Sequence, residues 1–139
     1  MGCAQGDDLG GVGMERELSE RGETALDVQE LLDRCLGNLE FAERILAKFQ
    51  SRFDADFAEL EQAMDTHDSE AAARVAHRLK GASATAAAHG LRREAATIEE
   101  LARQQCLAEI PARLADLRHE WARFNESAAE IGSAGDLHP

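Results

Sequence analysis

From about residue 27 to residue 124 the apolar side chains recur every three or four positions, and short stretches of turn and cap residues interrupt the pattern at intervals. A period near 3.6 puts those side chains on one stripe of an α-helix, and a chain of several such helices has to bury the stripes against one another. The composition agrees: Ala, Leu, Glu and Arg dominate, there are only 2 prolines, and tyrosine is missing. These residues favour helix over strand. The sequence therefore predicts an all-α fold, and 139 residues suit one compact domain.

The punctuation divides the pattern into five helices. Asp27 is placed to cap a short first helix carrying Val28, Leu31, Leu32 and Leu36, with Gly37 ending it. Asn38 caps a long second helix whose stripe is Phe41, Ile45, Phe49, Phe53, Leu60 and Met64. The run His67-Asp68-Ser69 breaks the period and offers a cap for a third helix, expected from Glu70 to about Ala88. His89-Gly90 is read as the next turn, and Leu91, Ala95, Ile98 and Leu101 form the inward face of a fourth helix. A last helix follows Gln104-Gln105, with Pro111 tolerable near its first turn and Ile110, Leu114, Leu117, Trp121 and Phe124 as its apolar face. The expected architecture is an antiparallel four-helix bundle with a short additional N-terminal helix. The helices are too short and too often interrupted for a coiled coil. Residues 1–23 hold six of the eleven glycines without a sustained period, and residues 128–139 are small and polar. Both read as flexible tails around a domain at 24–127.

The net charge of −12 argues against nucleic acid as a partner, because phosphate backbones are met with a basic face. No stretch approaches the roughly 18 apolar residues of a membrane span, and no basic-then-apolar leader opens the chain. Met1-Gly2-Cys3 lacks the Ser or Thr that myristoylation prefers, Gly6 standing there instead. The three cysteines, Cys3, Cys35 and Cys106, are scattered, with neither a disulfide framework nor a zinc spacing among them. These features together fit a cytoplasmic protein.

The third helix carries the chemistry. Advancing about 100° per residue from Val75, Leu79, Ala82 and Ala86 return to the same side and face the core. His77 falls about 200° away, beside Ala73, Lys80, Gly81 and Ala84, and is expected to reach solvent. From Ala71 to Arg93 there is no acidic residue, although 27 acids are spread over the chain, while Arg74, Arg78, Lys80, Arg92 and Arg93 are present. A cationic surface around one exposed imidazole results. Gly81 inside a helix costs about 0.5–1 kcal/mol relative to alanine, which close approach of another macromolecule would justify. An imidazole with an ordinary pKa of about 6.5 is a competent nucleophile near neutrality and can accept a phosphoryl group from an acyl phosphate. Lys80, at i+3, is placed to offset the charge of the phosphoryl oxygens, and Arg74, at i−3, to assist it or to meet an acidic partner.

The segment Ala76-His77-Arg78-Leu79-Lys80-Gly81-Ala82-Ser83-Ala84 resembles the A-H-x-L-K-G-x-S/A motif of histidine phosphotransfer domains. Leu31-Leu32-Asp33-Arg34 before Gly37-Asn38, Phe49, Ala63, Asp68, Leu91 and Ile98-Glu99 agree as well, so the likeness covers roughly residues 26–104 in detail. The resemblance implies that His77 is the phosphorylated residue and that Lys80 stabilises the phosphoryl group. It also implies that Gly81 leaves room for a receiver domain, on a docking face to which Arg74, Arg78 and Ala84 are also assigned. Partners would be receiver domains of response regulators or hybrid histidine kinases, with the Mg²⁺ held by the receiver and no cofactor or metal on this chain. Without a phosphate-binding glycine-rich loop it would relay phosphate and not originate it. A monomer is expected. One departure is Ala87, where the family usually has glycine; the turn after the third helix is accordingly expected to shift toward Gly90.

Three other readings compete with this one. A helical adaptor that binds receiver or kinase domains without using His77 chemically differs only in phosphate chemistry. A metal-binding bundle would draw on His67, His77 and His89, whose spacing is poor for it. A hydrolase would need a second group poised on the nucleophile, and Ser83 lies well round the helix from His77 and is expected to be partly buried and bonded to a backbone carbonyl.

Overall fold

A computed structural model describes residues 25–137, with side chains to residue 131. The described chain forms five α-helices and no strand: α1 (Val28–Arg34), α2 (Leu39–Asp65), α3 (Ser69–Thr85), α4 (His89–Arg103) and α5 (Ile110–Leu137), with a 3₁₀ turn at Leu107–Glu109 before the last. The all-α fold expected from the periodicity is what the structure shows. Residues 1–23, read as a tail, fall outside the described part. The helix α5 runs on to Leu137, into the stretch after residue 127 that was also read as a tail.

The helix starts follow the capping residues. Asp27, Asn38 and Asp68 each adopt extended backbone and accept, through Oδ1, the amide N–H three residues on, at 3.0 Å. The first helix residue after Asp68 is Ser69. The helix ends use a device the sequence reading missed. His67, Ala87 and Gln105 stand at φ 55° to 60°, and in each case the next amide N–H reaches back to a carbonyl five residues earlier: Asp68 to Ala63, Ala88 to Ser83, and Cys106 to Leu101, each at 2.8 Å. This is the Schellman closure, which glycine usually supplies because an L side chain costs about 1–2 kcal/mol there. Because Ala87 takes the left-handed position itself, α3 stops at Thr85. It does not extend to Ala88, and the turn is not displaced toward Gly90. His89-Gly90 opens α4 instead of forming the loop.

The core lies between the four long helices. α3 packs chiefly on α4 and next on α2, and α4 packs in turn on α5. Small side chains suit that close approach: Ala72 and Ala76 of α3, its C-cap Ala86, and Ala95 and Ala102 of α4 are all buried. Larger residues fill the rest: Leu31, Leu60, Leu79, Leu91, Ile98, Ile110, Leu117 and Phe124 are almost wholly enclosed. Between α2 and α5, Trp121 stacks on Phe53 with centroids 3.8 Å apart and planes 5° apart, and Phe49 meets Phe124 edge-on at 5.1 Å. Phe49 and Phe53 sit in the core as expected, whereas Phe41 is exposed and Leu36, at φ 56°, is 94% exposed. Leu36 belongs to the α1–α2 turn, where helical periodicity no longer governs direction.

Gly90 lies against α5. A β-carbon there would stand 2.1 Å from Oε1 of Glu120, a buried carboxylate whose two oxygens accept from Arg123 at 3.1 and 2.9 Å. Ser83 is fully buried, but its hydroxyl makes no hydrogen bond, contrary to the expected carbonyl partner. Cys35 is a buried free thiol, while Cys106 is disulfide-bonded. The scattered cysteines had pointed away from any such link, so they lend no support to a reducing compartment. Among the described residues no helix is long and apolar enough to cross a membrane.

Candidate functional site

His77 sits mid-way along α3 with its side chain 64% exposed, on the side the helical wheel assigned to it. Val75, Leu79 and Ala86 are buried and Ala82 is half-buried, as their angular positions require. The imidazole is not surrounded by cations alone. Its Nδ1 lies 3.0 Å from Oε2 of Glu99 on α4, a carboxylate of a residue only 6% exposed. Lys80 Nζ is 2.8 Å from the other oxygen, Oε1, and Arg103 donates to Oε2 through Nε at 3.1 Å and Nη2 at 2.6 Å. Burial would raise the Glu99 carboxyl, but hydrogen bonds from Lys80, Arg103 and His77, with the Lys80 charge, overcome it and hold the group at about 2 against an ordinary 4.5. Glu99 is therefore an anion at any physiological pH.

An ionised carboxylate can only accept, so the proton between it and His77 belongs to Nδ1. In the neutral ring Nε2 then carries the free lone pair, and among the described residues no group engages it. The arrangement fixes ring orientation and tautomer together, and leaves a nucleophilic nitrogen facing outward.

Glu99 was quoted in the sequence only as a flanking likeness, not as a site residue. A readable signal was present: on the α4 wheel it lies about 40° from Ala95, so an acid stands on the inward stripe, where it needs a partner. Arg103, one turn further along α4, was likewise missed.

The remaining site residues divide. Arg74 is exposed and, with Ser69, Ala73, His77, Ala102 and Arg103, lines a groove of about 530 Å³ between the start of α3 and the end of α4. Gly81 is exposed, and a β-carbon there would meet nothing within 4 Å, so no contact among the described residues calls for glycine. Ala84 is half-buried, its carbonyl and that of Thr85 accepting from Arg34 of α1. Arg78 turns away from His77 toward α2, where it bonds Asp56 Oδ1 at 2.9 and 3.2 Å and also Glu59. The hydrogen bond to Asp56 is the main reason its guanidinium is held more firmly protonated than usual.

The described chain is a helical bundle that presents an oriented imidazole on the outer face of a helix. Residues 44–127 match the Hpt domain, which takes in nearly all of α2, the whole of α3 and α4 and much of α5. The chain belongs to the Hpt domain family, whose members are phosphotransfer modules of two-component signalling. No curated protein and no solved structure gives a match.

Proposed function

We propose that this chain is a phosphorelay intermediate that carries a phosphoryl group on His77 Nε2 between aspartates of receiver domains. The observation that supports the reading is the Glu99–Nδ1 hydrogen bond at 3.0 Å, which in the neutral ring puts the proton on Nδ1 and leaves the lone pair to Nε2 of a mostly exposed side chain. A receiver docks over α3, and the Nε2 lone pair attacks the phosphorus of its aspartyl phosphate. The P–O bond to the aspartate breaks, its electron pair returns to that carboxylate, and Nδ1 keeps its proton. The ring becomes a phosphorylated imidazolium, whose positive charge Glu99 balances. Lys80 and Arg103, held beside the ring by the same carboxylate, lie where phosphoryl oxygens would meet their charge. Mg²⁺ belongs to the receiver's own acidic site, and this chain needs no cofactor. Transfer to a second receiver is the same step reversed. Gly81, Ala84 and Arg74 serve the docking face, and the module works as a cytoplasmic monomer without kinase activity of its own.

The test is incubation with a phosphorylated receiver domain, followed by assay for acid-labile, base-stable phosphate on the chain. Label on the native protein and none on His77→Gln is the expected result. Binding without label, across several receivers, would replace the relay with a non-catalytic adaptor.

A further inference from the structure

A second imidazole, remote from His77 chemistry, also stands among carboxylates. His89 opens α4, and its Nε2 lies 2.7 Å from Glu30 Oε1 and 3.9 Å from Asp27 Oδ2. One donor atom from each of the three residues falls within 4.8 Å of the others, and all three are half-buried. We propose that Asp27, Glu30 and His89 form a binding site for a first-row divalent cation of zinc type, clipping α1 to the start of α4.

The outer contacts orient these ligands. Asp27 Oδ1 is occupied by the Glu30 N–H at 3.0 Å, and the Asp27 N–H donates to the Ala87 carbonyl at 2.9 Å, so Oδ2 is the oxygen turned toward His89. Glu30 Oε2 is held by Arg34 Nη2 at 2.5 Å, which leaves Oε1 for the imidazole side. Arg34 is itself anchored on the carbonyls of Ala84 and Thr85. Each carboxylate thus has one oxygen tied to the fold and one directed to the same point, the pattern by which an outer shell positions metal ligands. A hydrogen bond between His89 and Glu30 explains only part of this. Asp27 Oδ2, at 3.9 Å, is too far to accept from Nε2, yet it converges on the same nitrogen.

One imidazole nitrogen and two carboxylate oxygens, with remaining positions open to water, suit zinc and its neighbours better than calcium or magnesium, which prefer oxygen alone. Ligand atoms around tetrahedral zinc stand about 3.3 Å apart, so the set needs only side-chain rotation to close. Binding displaces the proton between Nε2 and Glu30, with no change at the backbone. Neither His67 nor His77 takes part, and the site is independent of the relay.

The experiment is titration of the full chain with Co²⁺, followed by its visible absorption, with Zn²⁺ as competitor and the melting temperature as a second readout. One saturable equivalent is expected, with a rise in melting temperature on adding Zn²⁺. His89→Gln, which keeps a hydrogen-bonding group near Glu30, and Glu30→Gln should each weaken binding by about 100-fold, while His67→Ala binds like the native chain. Circular dichroism confirms that each variant is folded. Unchanged binding by His89→Gln, a thiolate-to-cobalt charge-transfer band, or no saturation below millimolar metal would each overturn the proposal.

Discussion

Two buried carboxylates grip α3, one from each neighbouring helix, and they do different things. Asp56 on α2 receives Arg78, and Glu99 on α4 receives Lys80 and Arg103. Both lie on inward stripes, where an uncompensated charge would be costly, and both are satisfied by basic side chains whose heads reach the surface. The Glu99 group adds an imidazole to the cluster. Three donors share two oxygens there, and one of the donors is the proposed phosphate carrier. A carboxylate of this kind on α2 fastens helices, whereas on α4 it also orients the imidazole of the proposed phosphate carrier. Burial and pairing alone do not make a site; the difference lies in what the third partner can do with its remaining atom.

The sharpest separation is at His77. His77→Gln should abolish phosphohistidine formation while leaving the urea midpoint close to native, because the ring is mostly exposed. Acid comes next. Since Glu99 is held at about 2 against 4.5 when unconstrained, its contribution to stability is complete above about pH 4.5 and is lost as the pH falls toward 2. It is on the order of 3 kcal/mol. Urea titrations of the native chain and Glu99→Gln across that range should converge at the acid end. At neutral pH, Glu99→Gln should slow phosphotransfer from a receiver roughly 10- to 100-fold, the loss of one charge-assisted hydrogen bond of about 1.5–3 kcal/mol. Nitrogen chemical shifts of His77 should show the tautomer becoming mixed. Asp56→Ala should reverse the pattern, costing about 1–2 kcal/mol of stability because Arg78 keeps access to water, with transfer rate unchanged. An equal loss of rate in the Asp56 and Glu99 variants would erase the distinction. The smallest effect is expected at Ala87→Gly, which relieves the left-handed backbone but gives up a buried methyl, for a net gain of about 0.5 kcal/mol.

Much of this was legible in the chain. Helical periodicity located five helices, three capping residues fixed the starts of α1, α2 and α3, and the wheel put His77 on the outer side of α3. The helix ends were less so, because the reading relied on glycine as the marker of a left-handed residue and this protein places His67, Ala87 and Gln105 there. Leu36 and Phe41 were assigned inward on apolar character, though Leu36 lies in the turn between α1 and α2 and Phe41 in the exposed first turn of α2. Glu99 and Arg103 escaped for a different reason. Their relation to His77 runs between helices, across 22 and 26 residues, and only packing of α4 on α3 reveals it. An acid on an inward stripe was the available clue, at Glu99 and equally at Asp56.

Gly90, pressed against the Glu120 carboxylate, has a meaning for how the sequence can drift. Any side chain there displaces the end of a buried acid paired with Arg123, so variants at this position should be depleted from a library screened only for the amount of folded protein in the cell. At Gly81 the surroundings are open, and a bulkier residue should survive that screen and be lost only when the library is selected for signalling. Two glycines nine residues apart would then record separate histories, one written by the interior and the other by whatever comes to meet α3.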